Sequence, residues 1–172
     1  MRLGDRVPEL SLPDTDGQEH ALRADGVTAV VFSCNHCPYA LAWHDRIFAV
    51  ARDYADRGVR VLAINPNDAE GYPAGSYEAM KERVAGDGGW PLPYLRDEDQ
   101  GAARAFDAKT TPDVFVFDAE GRLRYRGAPD GDYRDSSQDA AWLRGALDSL
   151  LADAEPEPAE TEPVGCSIKW KS

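Results

Sequence analysis

Two cysteines three positions apart, standing where an apolar run meets a helical stretch, constrain this chain more than any other feature. Residues 28–32 (Thr-Ala-Val-Val-Phe) are short, β-rich and almost wholly apolar, the pattern of a strand buried on both faces of a sheet. Over residues 38–57 the apolar side chains Leu41, Ile47, Phe48, Val50, Ala51 and Tyr54 fall largely at helical spacing. Cys34-Asn35-His36-Cys37-Pro38 therefore lies between a strand end and a helix start. A strand covered on both sides needs a layer above and a layer below it. The expected class is α/β, a sheet with flanking helices.

Free amides and the positive end of the helix dipole favour an anion at that junction. A thiolate is the anion that does sulfur chemistry. Cys34 is the expected nucleophile, the more accessible and acidic thiol, with a pKa of about 3.5–7.5 as at other helix-terminal cysteines. His36 can place positive charge near it, and Pro38 suits a first helical turn, where its missing N–H costs nothing. The same spacing also nucleates zinc sites, and two cysteines can simply be buried. A four-ligand site needs a second ligand pair, and beyond His36 there are only His20, His44 and Cys166, none paired at ligand spacing. No metal is assigned, and redox chemistry is the leading reading.

The remaining chain supplies the frame. Residues 7–13 and 19–22 read as a short hairpin around the turn Asp14-Thr15-Asp16-Gly17, with His20 a surface residue. Gly58 stops the motif helix, and residues 59–64 form a second buried strand, giving a parallel β-α-β unit. Asn65-Pro66-Asn67-Asp68 follows at that strand's carboxyl end, either a ligand-contacting loop or a plain turn. One or both of Trp43 and His44 are expected to pack against the sheet rather than react. Ser76 is the expected cap of a helix over 76–84. Residues 91–95 read as an extended connector, Asp97-Glu98-Asp99 as a solvated turn, 100–106 as a short helix, 113–118 with 123–126 as a hairpin turning at Gly121, and 139–151 as the last amphipathic helix. Residues 153–163 alternate acids with prolines and read as a linker that burial cannot order. Beyond them Val164, Cys166, Ile168 and Trp170 restore apolar character. Two units follow: a folded body over 1–152 and an acidic, Pro-rich linker with C-terminal tail over 153–172. At about 3.1 Å per residue the linker spans roughly 34 Å, enough for Cys166 to reach the cysteine pair of its own chain or a neighbour's. A free thiol on a loose tail is the competing reading.

These residues resemble a known family. The strand, C-x-x-C-P, helix and the distant Thr110-Thr111-Pro112-Asp113-Val114 look like the thioredoxin superfamily. Cys34-Asn35-His36-Cys37-Pro38-Tyr39, Asn65-Pro66-Asn67-Asp68, Tyr72-Pro73 and Gly165-Cys166-Ser167-Ile168-Lys169-Trp170 are similar, more narrowly, to bacterial redoxins of the alkyl hydroperoxide reductase/thiol-specific antioxidant-like thioredoxin group. The resemblance implies a thioredoxin-like fold, a central mixed sheet flanked by helices with an N-terminal β-hairpin extension. It makes Pro112 a cis-proline facing the cysteines, with Thr111 offering its backbone to a partner's extended chain and Asn35 beside it as a substrate contact. It implies a thiol-disulfide oxidoreductase working on protein or small-molecule disulfides and thiols, with no cofactor and with a reductant such as a thioredoxin or glutathione system. A thiol peroxidase is the alternative. The P-x-x-x-T/S-x-x-C pattern of peroxidatic cysteines is missing, since Val27 and Val31 precede Cys34, and Val30 and Cys34 precede Cys37, at the corresponding places. A copper-binding assembly protein using Cys34, Cys37 and a histidine is a third reading.

A net charge of −12 repels phosphate, so neither nucleic acid nor an anionic membrane is an expected partner. Three cysteines are an odd number and do not describe a disulfide-stapled framework. The first residues lack the apolar core of a signal peptide, and a cytoplasmic location is expected.

Overall fold

A computed structural model describes residues 1–172. Strands β1 (Leu10–Pro13) and β2 (Glu19–Leu22) form the N-terminal hairpin. Its turn is held by Asp14, whose carboxylate accepts the N–H groups of Asp16 and Gln18 and meets His20 Nε2 at 2.7 Å. His20 is thereby half-buried rather than free on the surface. Next come β3 (Thr28–Phe32), α1 (Pro38–Tyr54), β4 (Arg60–Asn65), α2 (Tyr77–Gly86), β5 (Tyr94–Arg96) and α3 (Gly101–Phe106). The chain continues through β6 (Thr110–Thr111), β7 (Asp113–Phe117), β8 (Leu123–Gly127), α4 (Ala141–Leu151) and β9 (Cys166–Ser167).

The central sheet runs β5-β4-β3-β7-β8. β3, β4 and β5 are parallel, β7 runs antiparallel to β3, and β8 runs antiparallel to β7. Every residue of β3 is buried, and its period of two divides the interior. Ala29 and Val31 join a core with Trp43, Ile47 and Val50 of α1 and Leu143 and Leu147 of α4. Val30 and Phe32 join a second core with Leu22 of the hairpin and Ala103 and Phe106 of α3. The helical spacing of α1 puts Ala40, Trp43, Ile47, Val50, Ala51 and Tyr54 on the buried face. Its end tightens into a 3₁₀ turn that Gly58 stops at φ +76°. Ser76 caps α2 by accepting the Ala79 N–H at 3.1 Å. No helix is long and apolar enough to cross a membrane.

Three segments depart from the sequence expectations. The connector over 91–95 enters the sheet, with Ala63 pairing Tyr94 and Ile64 pairing Leu95, so it supplies the edge strand β5. Asp97 is no solvated turn residue. Its buried carboxylate accepts the N–H groups of Ala102 and Ala103 at 3.0 and 2.8 Å, which satisfies donors at the start of α3. The third departure is the stretch over 153–163, which lies ordered along β8. Arg126 donates its N–H to the Ala159 carbonyl and accepts from Thr161 N–H, and Thr161 Oγ1 meets both the Ala128 N–H and the Tyr125 hydroxyl. Backbone pairing with Arg126, together with the burial of Pro156, holds this segment in place.

α1 is also anchored by a buried ion pair absent from the sequence reading. Arg46 Nη1 donates to both oxygens of Asp130 at 3.0 and 2.9 Å, and the same carboxylate accepts from Trp43 Nε1 and from Ala140 N–H. The loop between β8 and α4 is thereby fastened to the helix that carries the cysteines.

Candidate active site

β3 ends at Phe32, Ser33 follows, and Cys34 opens the turn into α1. Cys37 occupies the cap position with Pro38 in the first turn. This is the placement that the spacing predicts, with one sulfur facing the free amides of the helix. Cys34 Sγ accepts the Cys37 N–H at 3.2 Å and the Thr111 hydroxyl at 3.5 Å, with the backbone of His36 as a further donor. Cys37 Sγ lies 3.3 Å from the Thr111 carbonyl. The Thr111–Pro112 bond is cis and sits against the pair, as the family resemblance implies.

The surroundings differ from expectation in one decisive respect. Neither thiol is accessible: Cys34 is 1% exposed and Cys37 4%, and Cys166 of the C-terminal strand packs against them. β9 pairs antiparallel with β6, with Cys166 opposite Thr111 and Ser167 opposite Thr110. Gly165 passes so close to the Thr111–Pro112 peptide that a Cβ there would overlap the Thr111 carbonyl oxygen and come within 2.6 Å of its carbon. Ile168, 3% exposed, plugs the core beside Phe32 and Phe106 and donates its N–H to the Lys109 carbonyl. Lys169 is gripped on the other side. Its N–H donates to Asn67 Oδ1 at 3.0 Å, and its carbonyl accepts from Asp68 N–H at 2.8 Å and Gln100 Nε2 at 2.9 Å. The Asn65-Pro66-Asn67-Asp68 loop is thus a receptor for the chain's own tail. Gln100, fully buried, also accepts the Lys171 N–H.

The tail alters the electrostatics of the pair. Cys166 packs against Cys37, and its thiol and backbone, together with the Ala40 backbone, favour the charged form of Cys37. Sulfur-to-sulfur hydrogen bonding, with these groups, draws Cys37 down to about 4, while the Cys37 partner and burial push Cys34 up. Against that assignment, the contact of Cys37 Sγ with the Thr111 carbonyl requires a proton on Cys37. One proton shared between two sulfurs satisfies both observations: the pair releases its first proton readily and holds the second tightly. A Cys34 that is the more exposed and more acidic thiol is therefore not what the closed site contains. The Cys37 partner and then burial push Cys34 up, while the Cys34 partner, with the tail's groups after it, holds Cys37 down.

The other expected site residues divide. Asn35 is buried, its amide donating to the Ala74 carbonyl at 2.9 Å and its Oδ1 accepting from the Tyr94 hydroxyl at 2.6 Å. Its buried side chain holds the turn to the neighbouring segments. The His36 side chain is exposed and hydrogen-bonds to neither sulfur, so only its backbone serves Cys34. His44 packs as expected, its Nε2 3.2 Å from Ser33 Oγ and its ring stacked on Phe48. Burial first, then the Arg83 charge, lowers its pKa to about 4. No group of three or more His, Cys, Asp and Glu side chains is arranged to hold a metal ion. Cys166 is the residue whose place the spacing left open, and it lies in one cluster with Cys34, Cys37 and Ala40.

Two solved structures match nearly the whole chain. One is an uncharacterized conserved protein from Geobacillus kaustophilus, 39% identical, TM-score 0.92, covering 99% of this chain and 93% of its own. The other is a hypothetical protein from Sinorhizobium meliloti 1021, 34% identical, TM-score 0.92, covering 100% and 96%. A third, provisionally named thiol:disulfide interchange protein DsbE from Chlorobium tepidum, is 20% identical with a TM-score of 0.69 over 88% of this chain and 99% of its own, a likeness of fold. No curated protein matches. The fold is thioredoxin-like, and family and fold together support redox chemistry at thiols, of oxidoreductase or peroxidase type. With the AhpC/TSA family matching residues 3–126, through both cysteines, the cis-proline and β8, the chain belongs to that family.

Proposed function

We propose that the protein is a thiol-disulfide oxidoreductase whose Cys34 and Cys37 exchange with disulfides of proteins or small molecules. The observation that carries this reading is the pair itself: Cys34 Sγ accepts the Cys37 N–H and the Thr111 hydroxyl, and Cys37 Sγ lies 3.3 Å from the Thr111 carbonyl beside cis Pro112. When the tail lifts, the burial that pushes Cys34 up is relieved while Cys34 keeps the Cys37 N–H and the Thr111 hydroxyl, which favours charge on Cys34. Cys34 thiolate then attacks one sulfur of a partner disulfide and the other sulfur leaves as thiolate. Cys37 attacks Cys34 Sγ of the mixed disulfide, releasing the second partner thiolate and leaving Cys34–Cys37 oxidised. A thioredoxin or glutathione system returns the electrons, and the chemistry uses no cofactor. Pro112 and Thr111 present the backbone edge beside the pair, and an extended partner segment fits there by strand addition. The acidic surface suits neither nucleic acid nor an anionic membrane, and the reading is of a cytoplasmic enzyme.

Insulin disulfide reduction, run beside hydrogen peroxide consumption, tests it. The wild type reduces insulin, Cys34→Ser does not, and Cys37→Ser accumulates the mixed disulfide. Peroxide consumption without insulin reduction would replace this reading with the thiol peroxidase that the AhpC/TSA membership also accommodates.

A further inference from the structure

We propose that Cys166 is a third exchange thiol, which takes the disulfide over from Cys34–Cys37 to form Cys37–Cys166 on the docked C-terminal strand. The inference rests on the exchange chemistry proposed above and goes beyond it in naming the next acceptor. β9 occupies the edge of β6 where an extended partner segment would pair, and it sets its own cysteine opposite Thr111. The tail is therefore arranged as a tethered substrate strand. Cys166 packs in one cluster with Cys34 and Cys37, and of the two sulfurs it is Cys37 whose charged form the Cys166 thiol and backbone favour. Docking is specific: Asn67, Asp68 and Gln100 hold Lys169, Ile168 fills the core, and Gly165 lets the backbone approach Thr111.

The step balances without any new oxidant. The Cys166 thiolate attacks Cys37 Sγ of the Cys34–Cys37 disulfide, the Cys37–Cys166 bond forms, the Cys34–Cys37 bond breaks, and the electron pair leaves on Cys34. One disulfide and one thiolate give one disulfide and one thiolate. The leaving Cys34 thiolate is received by the Cys37 N–H and the Thr111 hydroxyl. In the reduced protein Cys166 is pushed up to about 11 by burial and then by hydrogen bonding and charge from Cys37. Once Cys37 is in a disulfide it carries no charge, and the part of that elevation due to Cys37 disappears. The oxidising equivalents come from the partner disulfide of the proposed reaction, and the product clamps the tail covalently over the site.

The test treats wild type, Cys34→Ser and Cys34→Ser with Gly165→Ala with oxidised glutathione, then maps disulfides by peptide mass and checks for monomers on a non-reducing gel. Cys34→Ser is expected to give an intramolecular Cys37–Cys166 bond, Cys37 first taking glutathione and Cys166 then displacing it. The added methyl of Gly165→Ala unseats the strand, so the cross-link should form about tenfold more slowly as the effective concentration of Cys166 at Cys37 falls. A Cys34→Ser protein that carries glutathione on Cys37 and Cys166 without joining them overturns the inference, as does a Gly165→Ala double variant that cross-links at the same rate. In either case a wild type that still forms Cys34–Cys37 and reduces insulin leaves the proposed function standing. Failure of both wild-type readings removes that function instead.

Discussion

Replacing Asp130 by Ala should be among the most damaging single changes in the molecule. The Arg46 and Asp130 side chains are 8% and 1% exposed, so the variant leaves a guanidinium buried without its counter-charge. It also strands the Trp43 indole N–H, the Ala140 N–H and the Asp132 N–H, all of which point at the lost carboxylate. Arg46 keeps the Asp132 and Tyr133 carbonyls as acceptors, which solvate the cation in part but do not neutralise it. Removing one partner of a buried pair costs about 3–5 kcal/mol. For a chain of this length that lowers Tm by roughly 6–20 °C, at about 2–4 °C per kcal/mol. Asp130→Asn keeps an acceptor and should fall between wild type and Ala. Asp25→Ala serves as the control, because the Arg23–Asp25 pair is well exposed on both sides and pairs of that kind contribute about 0–1 kcal/mol. Urea and thermal unfolding measure all three. An Asp130→Ala protein within about 1 kcal/mol of wild type would refute the assignment of this pair as the anchor of α1.

His44 predicts a pH dependence. Its folded pKa of about 4 lies below the ordinary value, so the unfolded chain binds the proton more readily, and stability present above about pH 6.5 is lost as pH falls toward 4. Asp113, raised to about 6 by burial, acts with the opposite sign in the same window, costing stability as pH rises from about 4 to 6. The stability difference between wild type and His44→Gln should therefore shrink by on the order of 3 kcal/mol between pH 7 and 4, whereas parallel profiles would show that His44 is not held neutral. Asp97→Ala removes the acceptor for two N–H groups of α3 and should cost about 1–3 kcal/mol in urea unfolding, with a neutral result restoring Asp97 to the solvated turn.

The strand before Cys34, the helix after it and the turn between them were readable because each carries a local signal: an apolar run, a 3.6-residue period, a proline at the first helical position. The second partners were not readable, because they are distant in sequence. Asn67 looks like a turn residue until Lys169 is placed on it, and Asp97 looks like a solvated acid until α3 is seen to begin above it. Residues 153–163 have the composition of a linker, and their order comes from main-chain groups on Arg126, which composition does not report. His36 was assigned to the site by adjacency alone, yet the turn that brings its backbone to Cys34 directs its imidazole to solvent. Asn35 fails for the complementary reason: Tyr94 and Ala74, which claim its amide, belong to segments whose fold around the motif no local pattern encodes.

The ladder between Arg126 and residues 159–161 has a further effect. β8 is the outermost strand on its side of the sheet, and an outermost strand with free N–H and C=O groups is a template for another chain. Here the tail's approach to the cysteines passes along that strand and covers it at Arg126. Freeing the C-terminus beyond residue 163 opens the thiols alone, but peeling it back past Thr161 also bares Arg126 to any passing edge. An open molecule that keeps the 159–161 ladder therefore leaves this edge partly covered, whereas one that loses it exposes the edge together with the thiols.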